Sequence, residues 1–477
     1  MGFNSKIRLI TREENEAIEI YPSETENTET KAFTIEYLFS HVIPNEICDN
    51  IYVSKITTLE LSNCHLTDVP IACNKLNLKY LGLSHNNLEH VPSCLYNGLK
   101  HLESLDLSYN LIQNFDLEPD CLPYLKKIKL NSNKFVNAPK WFLMFRCTSL
   151  EEFDYSNNKA KTYKYMKNSF NLNLFKLKKL QLISSCLIDD DFNLLKCFRQ
   201  MRYLDISNDM LSYINKFDDL DKLFVKPKWK ELNVLKLNGL YLSIFPEGIA
   251  WIESLKELYV SNNNLSWLPD GIEFLVNLEI LVISNNSIVS VPKSLASMEK
   301  LTVLQAFNNC IDGVPDFSSM SNLKTLDLYN NSLDMISFNV NAVNYIDLEG
   351  NYCDTREFQN LSLYEEKRNN LRKKYSIEDR YDGPKTKEPE DLIDSCSELD
   401  LYYDDANDTN SIAFFGTSDD DENWDLPPKT NKVHSDIDTE DDMWQGEETN
   451  TCLKSTCVAE KVYVSEDDWM FEDCDDS

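Results

Sequence analysis

The chain has 477 residues, enough for two or three ordinary domains unless a longer-ranged pattern organises it. Its 79 Asp and Glu outnumber 47 Lys and Arg for a formal net charge of -32, which argues against nucleic-acid backbones as the main partner and favours basic proteins or basic patches. No stretch approaches the ~20 apolar residues of a membrane span, and the closest glycines, Gly239 and Gly248, are too far apart for dinucleotide or nucleophile-elbow motifs.

In chain order, residues 1–32 are polar and acidic around Glu13-Glu14-Asn15-Glu16 and Glu24-Thr25-Glu26, and are expected to be loosely ordered. The run from Met1 to Ile10 lacks the apolar centre and cleavage site of a secretory leader. Lys6 stands where a myristoylation motif wants Ser or Thr. Residues 33–55 turn apolar through Phe33, Ile35, Leu38, Phe39, Val42, Ile43, Ile47 and Ile51, and are read as a cap over the open edge of the repeats that begin at residue 56.

From 56 to 353 the sequence repeats. The segment Leu278 to Pro292 fits L-x-x-L-x-L-x-x-N-x-L-x-x-h-P, with h apolar. Aligning the second core position gives thirteen copies, at Leu59, Leu81, Leu105, Ile128, Phe153, Leu180, Leu204, Leu235, Leu258, Leu281, Leu304, Leu326 and Ile346. Eleven of the twelve spacings fall between 20 and 27 residues; the step from Leu204 to Leu235 is 31. Alternation along a strand turns the leucines inward and their neighbours to solvent. Asn86, Asn110, Asn133, Asn158, Asn263, Asn286, Asn309, Asn331 and Asn351 hold an amide inside the turn, where it satisfies backbone groups leaving the strand ladder. A following proline, as at Pro246, Pro269, Pro292 and Pro315, suits a non-strand return.

This pattern resembles the cytosolic leucine-rich-repeat proteins of the Ras-suppressor and cell-polarity scaffold type, over residues 56–353. The fold expected is α/β: a leucine-rich-repeat solenoid, or horseshoe, with one parallel sheet of about thirteen strands. Two units depart from the pattern, with Ser185 and then Asp209 at the Asn position. The long step before Leu235 contains Phe217 to Leu223, read as a tolerated surface insertion or a short helix on the convex side.

Residues 354–375 are expected to form a capping helix, with Phe358, Leu361, Leu363, Tyr364 and Leu371 against the last repeat. Its Lys367-Arg368 and Arg372-Lys373-Lys374 are read as a solvated face in preference to a nuclear-import signal. Residues 376–477 hold 32 acidic and 7 basic side chains, a net of -25, and are expected to be a disordered acidic tail. Three tryptophans in acid, Trp424, Trp444 and Trp469, are candidate docking motifs; the first resembles tryptophan-acidic peptides that bind kinesin light chains. Ser418, Ser435, Thr439 and Ser465, each with an acid three residues on, fit acidophilic kinases.

The odd-numbered positions of each strand should form a concave face about 60 Å long. Its early units offer small and charged groups, with a basic island at Lys127, Lys129 and Lys179. Its later units offer Val234, Tyr259, Ile280, Val282, Val303, Phe307, Tyr329 and Tyr345, the candidate partner-binding stripe. No catalytic motif, metal site or cofactor is expected, and the cysteines, without a framework, are read as reduced thiols. The sequence therefore predicts a monomeric, non-catalytic scaffold or adaptor in signalling, cytoplasmic with the nucleus as the alternative. It would grip a protein on its concave face and use the tail as a second docking segment. Leucine-rich repeats followed by acid also resemble the acidic leucine-rich nuclear phosphoproteins, which implies a chaperone or regulator of basic proteins. A regulatory subunit of an enzyme such as a phosphatase is a third reading.

Overall fold

The computed structural model describes residues 7–10, 17–20, 31–34, 56–69, 76–115, 117–143, 147–159, 176–209, 214–225 and 229–385. Among them, thirteen short strands stand one per repeat: β4 (Ile56–Glu60), β5 (Tyr80–Gly82), β6 (Ser104–Asp106), β7 (Lys127–Lys129), β8 (Glu152–Asp154), β9 (Lys179–Gln181), β10 (Tyr203–Asp205), β11 (Val234–Lys236), β12 (Glu257–Tyr259), β13 (Ile280–Val282), β14 (Val303–Gln305), β15 (Thr325–Asp327) and β16 (Tyr345–Asp347). Each pairs in parallel with the next, in strict chain order. The register places Leu258, Leu281, Leu304, Leu326 and Ile346 in one file, as the aligned repeats require. All of these are buried, and the core they build runs unbroken along the array. The expected parallel leucine-rich-repeat sheet is therefore the fold.

The turn after each strand has its own chemistry. The residue before the asparagine position takes a left-handed backbone in unit after unit, including Asn262 (φ 57), Asn285 (φ 55), Asn308 (φ 53) and Asn330 (φ 54). Asparagine enters that region more readily than most residues. The side chains of these four residues are also bonded to one another at 2.7–2.9 Å. One residue on, the amide of Asn263 donates to the Leu237 and Val260 carbonyls at 2.9 and 3.0 Å and accepts from the Leu240 and Leu242 amides. Prolines then open the convex returns: Pro246, Pro269 and Pro292 stand just ahead of 3-10 turns at Glu247–Trp251, Asp270–Phe274 and Lys293–Ser297.

The long unit corrects the expectation at Asp209. Asn215 takes the ladder position there, donating to the Leu182 and Ile206 carbonyls at 2.8 and 2.9 Å and accepting from the Ser185 and Leu187 amides. Asp209 instead bonds the Ser184 hydroxyl. A shifted turn thus hides the asparagine six positions beyond its expected place. Four helices are described: α1 (Lys140–Leu143), α2 (Phe192–Lys196), α3 (Asp221–Phe224) and, longer, α4 (Leu361–Tyr375). The third lies in the insertion and buries Leu223 and Phe224.

Both ends differ from their expected boundaries. Within the segment read as loosely ordered, β1 (Ile7–Ile10) and β2 (Ala17–Ile20) pair antiparallel. A further strand, β3 (Lys31–Thr34), straddles the expected boundary at residue 33 and pairs with β4, making fourteen strands in the described sheet. At the other end, α4 packs on β16 with Tyr364 and Leu371 buried, while Leu363 is exposed. The chain then continues beyond Tyr375 in described structure as far as Lys385. The acidic average of the tail conceals these ten residues, which carry two basic side chains of their own, Arg380 and Lys385. Trp424, Trp444, Trp469, Ser418, Ser435, Thr439 and Ser465 lie outside the described residues.

Candidate functional site: the concave face

Side chains flanking the buried file make three sectors. In the first, charges interleave across strands. Lys129 pairs with Asp106 at 3.0 Å and Lys127 with Glu152 at 2.6 Å, around a shallow hollow that Asp154, Lys179 and Gln181 also line. The basic island expected here is thus balanced by acid from neighbouring strands. Burial pushes the Asp154 carboxyl upward against hydrogen bonds from Ser156 and the pull of Lys179 and Lys129.

The second sector is aromatic and then aliphatic. Lys236 lies between two rings, 5.6 Å from Tyr203 and 4.7 Å from Tyr259, and Lys179 stands 4.9 Å from the Tyr203 ring. The two hydroxyls bond Asp205 and Glu257 at 3.2 and 2.9 Å. Burial first, then those carboxylates, pushes both phenols up, with Tyr375 adding to the effect on Tyr259. Val234, Ile280, Val282 and Val303 follow, all half-buried. Cation–π pairing fixes the lysine without covering the valines.

The third sector corrects the predicted stripe. Phe307, Tyr329 and Tyr345 lie beneath the chain's own carboxyl-terminal flank. The Arg380 guanidinium sits 4.7 Å from the Phe307 ring and 4.5 Å from that of Tyr329. Its Nη1 donates to Asp327 at 2.9 Å and to Asp347 at 3.1 Å. The Tyr381 amide donates to the Tyr329 hydroxyl, and the Gly383 amide to Glu349. Lys374 stands 4.7 Å from the Tyr345 ring.

The same flank overturns the solvated-face reading for Arg368 and Arg372, while Lys373 and Lys374 remain exposed. Arg368 bonds Glu349 at 2.8 Å, and Arg372, only 5% exposed, bonds Asp347 and Asp382 at 2.9 and 2.7 Å. Buried carboxylates demand such partners, because an unpaired buried charge costs several kcal/mol. Asp327, Asp347 and Glu349, at the fifth and seventh positions of the last two units, hold these arginines; Asp106 and Asp205, at the same fifth position and also buried, take lysine and hydroxyl partners, so the sequence pattern alone did not mark the site.

A separate surface on the convex side escaped the sequence reading. Trp251, 67% exposed, stacks on Phe274 at 5.6 Å, with Trp267 also exposed nearby and Glu247 and Asp270 around them. Single apolar positions at the proline-led returns carry no periodic signal.

Comparison with known proteins finds the same repeat. A family profile described as leucine rich repeat matches residues 54–112, 76–135 and 253–311, and one for two copies of the repeat matches 299–341. Lumican of Bos taurus is 28% identical over 200 residues, 41% of this chain and 53% of lumican. An adenylate cyclase of Schizosaccharomyces pombe is 28% identical over 233 residues, 45% of this chain but 13% of that protein. The chain thus spans about half the length of the lumican it matches and far less of the cyclase. A solved leucine-rich-repeat protein of Leptospira interrogans has a TM-score of 0.43 at 20% identity, covering 66% of this chain and 95% of its own.

Proposed function

The chain is a leucine-rich-repeat protein, and on that premise we propose that it is a non-catalytic intracellular scaffold that holds a protein partner on the open part of its concave face. Arrays of this class present extended concave surfaces for protein contact. The observation that supports the reading is the run Tyr259, Ile280, Val282 and Val303, half-buried apolar groups on adjacent strands. Solvent-facing strand positions are ordinarily polar, and clustered aromatic and aliphatic groups are where interface energy concentrates. Lys236, held between Tyr203 and Tyr259, supplies a fixed positive charge at one margin. Arg380 and its neighbours bound the other. A signalling role, with Trp424, Trp444 and Trp469 as a second docking segment, belongs to the same proposal.

The test is chemical cross-linking in cell extract with the intact chain and with a Tyr259→Ala, Val282→Asp double variant, read by mass spectrometry. Cross-links to one protein from Lys236 or Lys179 that the double variant loses, at an unchanged unfolding midpoint, support the concave site. Equal capture by the variant rejects it.

A further inference from the structure

We propose that the pocket now filled by Arg380 is a recognition site for an arginine of the partner, with Arg380 as its exchangeable resident. This deepens the concave-face reading and rests on it for the partner, though not for the chemistry of the pocket.

The pocket is a continuation of the open sector. Val282, Gln305, Asp327 and Asp347 stand in one file on consecutive paired strands. A segment lying over Val282 and Val303 is therefore only about 10 Å from Asp327. What it would meet there is selective for a guanidinium. Two carboxylates with no exposed area stand side by side, and the rings of Phe307 and Tyr329 lie against the cation. A planar, delocalised cation suits that combination of stacking and charge, whereas a compact, strongly hydrated ammonium does not.

The resident fills the pocket incompletely. Only Nη1 of Arg380 reaches the two acids, and Asp327 Oδ2 is buried without a hydrogen-bond partner among the described residues. A guanidinium arriving from the open side can present two nitrogens to Asp327 and satisfy that oxygen. The segment holding Arg380 has little apolar anchorage: Tyr381 and Asp382 are exposed, and apart from the two rings against Arg380 its contacts are ion pairs and hydrogen bonds. Segments of that kind open locally at low cost. Arg372 still holds Asp347, but Asp327 cannot stand bare, so opening becomes favourable only when a second arginine replaces the first.

The experiment uses the full chain with Arg380→Ala, titrated with N-acetyl-arginine methylamide and, separately, its lysine counterpart. The expected result is a rise of about 2–4 °C in unfolding midpoint near ten times the dissociation constant for the arginine compound. The lysine compound should give none, and Arg380→Ala with Asp327→Asn should respond to neither. No rise, or an equal rise with lysine, overturns the proposal. If Arg380→Ala does not fold, Arg380→Lys takes its place with the same criteria. In the unaltered chain, the arginine compound should speed hydrogen exchange at the Tyr381 and Gly383 amides several-fold. Unchanged exchange there would mean a fixed clasp and would also overturn it. Neither readout needs the partner, so this proposal and the concave-face scaffold fail separately.

Discussion

Arg380 and Asp327 are 53 residues apart in sequence, yet Nη1 of the one lies 2.9 Å from Oδ1 of the other. The aspartate is fully buried and its carboxyl is pushed up to about 6, by burial first, against the opposing charge and hydrogen bond of the arginine. The pair ties the segment after α4 to the strands of the last units.

The sign of its pH dependence is set by that shift. A carboxyl near 3.9 in the unfolded chain and about 6 in the folded one binds its proton more tightly when folded. That contribution to stability is fully present below the unfolded value and is lost as pH rises through about 6. Arg380→Ala removes the counter-charge, so it should raise Asp327 further. The variant should lose about 3–5 kcal/mol at pH 7.5 and distinctly less at pH 5, measured by urea unfolding. Equal losses at the two pH values would show that the ion pair does not govern the effect.

Asn215 should matter far more than Asp209. Asn215→Ala strands two buried carbonyls and two buried amides, and a loss of about 4 kcal/mol is expected at roughly 1 kcal/mol for each. Asp209→Ala should lose under about 1 kcal/mol, since its contacts are part-buried. Chemical denaturation of the two variants decides, and the reverse order would refute the ladder assignment.

Adjacent residues on one strand should separate stability from binding. Leu281 is wholly buried and Val282 half-buried on the opposite face. Leu281→Ala should cost about 2–5 kcal/mol through the cavity it leaves. Val282→Ala should cost under about 1 kcal/mol while weakening partner capture, as seen by unfolding midpoints alongside affinity measurements.

Salt distinguishes the scaffold from a chaperone of basic proteins. Apolar capture near Val282 and Val303 should change by less than about threefold between roughly 50 and 300 mM salt and survive removal of residues 386–477. Binding led by the acidic tail should fall steeply over that range and vanish with the deletion.

The repeat was legible because inward leucines at a steady spacing leave the chain few other ways to bury them. The turn asparagines announced themselves for the same reason, until an insertion moved Asn215 away from its expected offset. The carboxyl-terminal flank was not legible in that way. Whether Phe307 and Tyr329 face solvent depends on Arg380, and a pairing across that much sequence leaves no period to count. Net charge over residues 376–477 even pointed away from it, since the single arginine there, Arg380, vanishes in an acidic average.

Leu235, Leu258, Leu281 and Leu304 succeed one another at an unvarying 23 residues, with the same strand offsets at every junction. The middle of the molecule is therefore modular: excising one whole period there, from Leu258 to just before Leu281, rejoins equivalent frames. The product would be a ribbon shorter by a single rung, about 4.8 Å, with the carboxyl-terminal clasp intact. Length in this protein is an adjustable quantity, whereas its carboxyl-terminal closure is not.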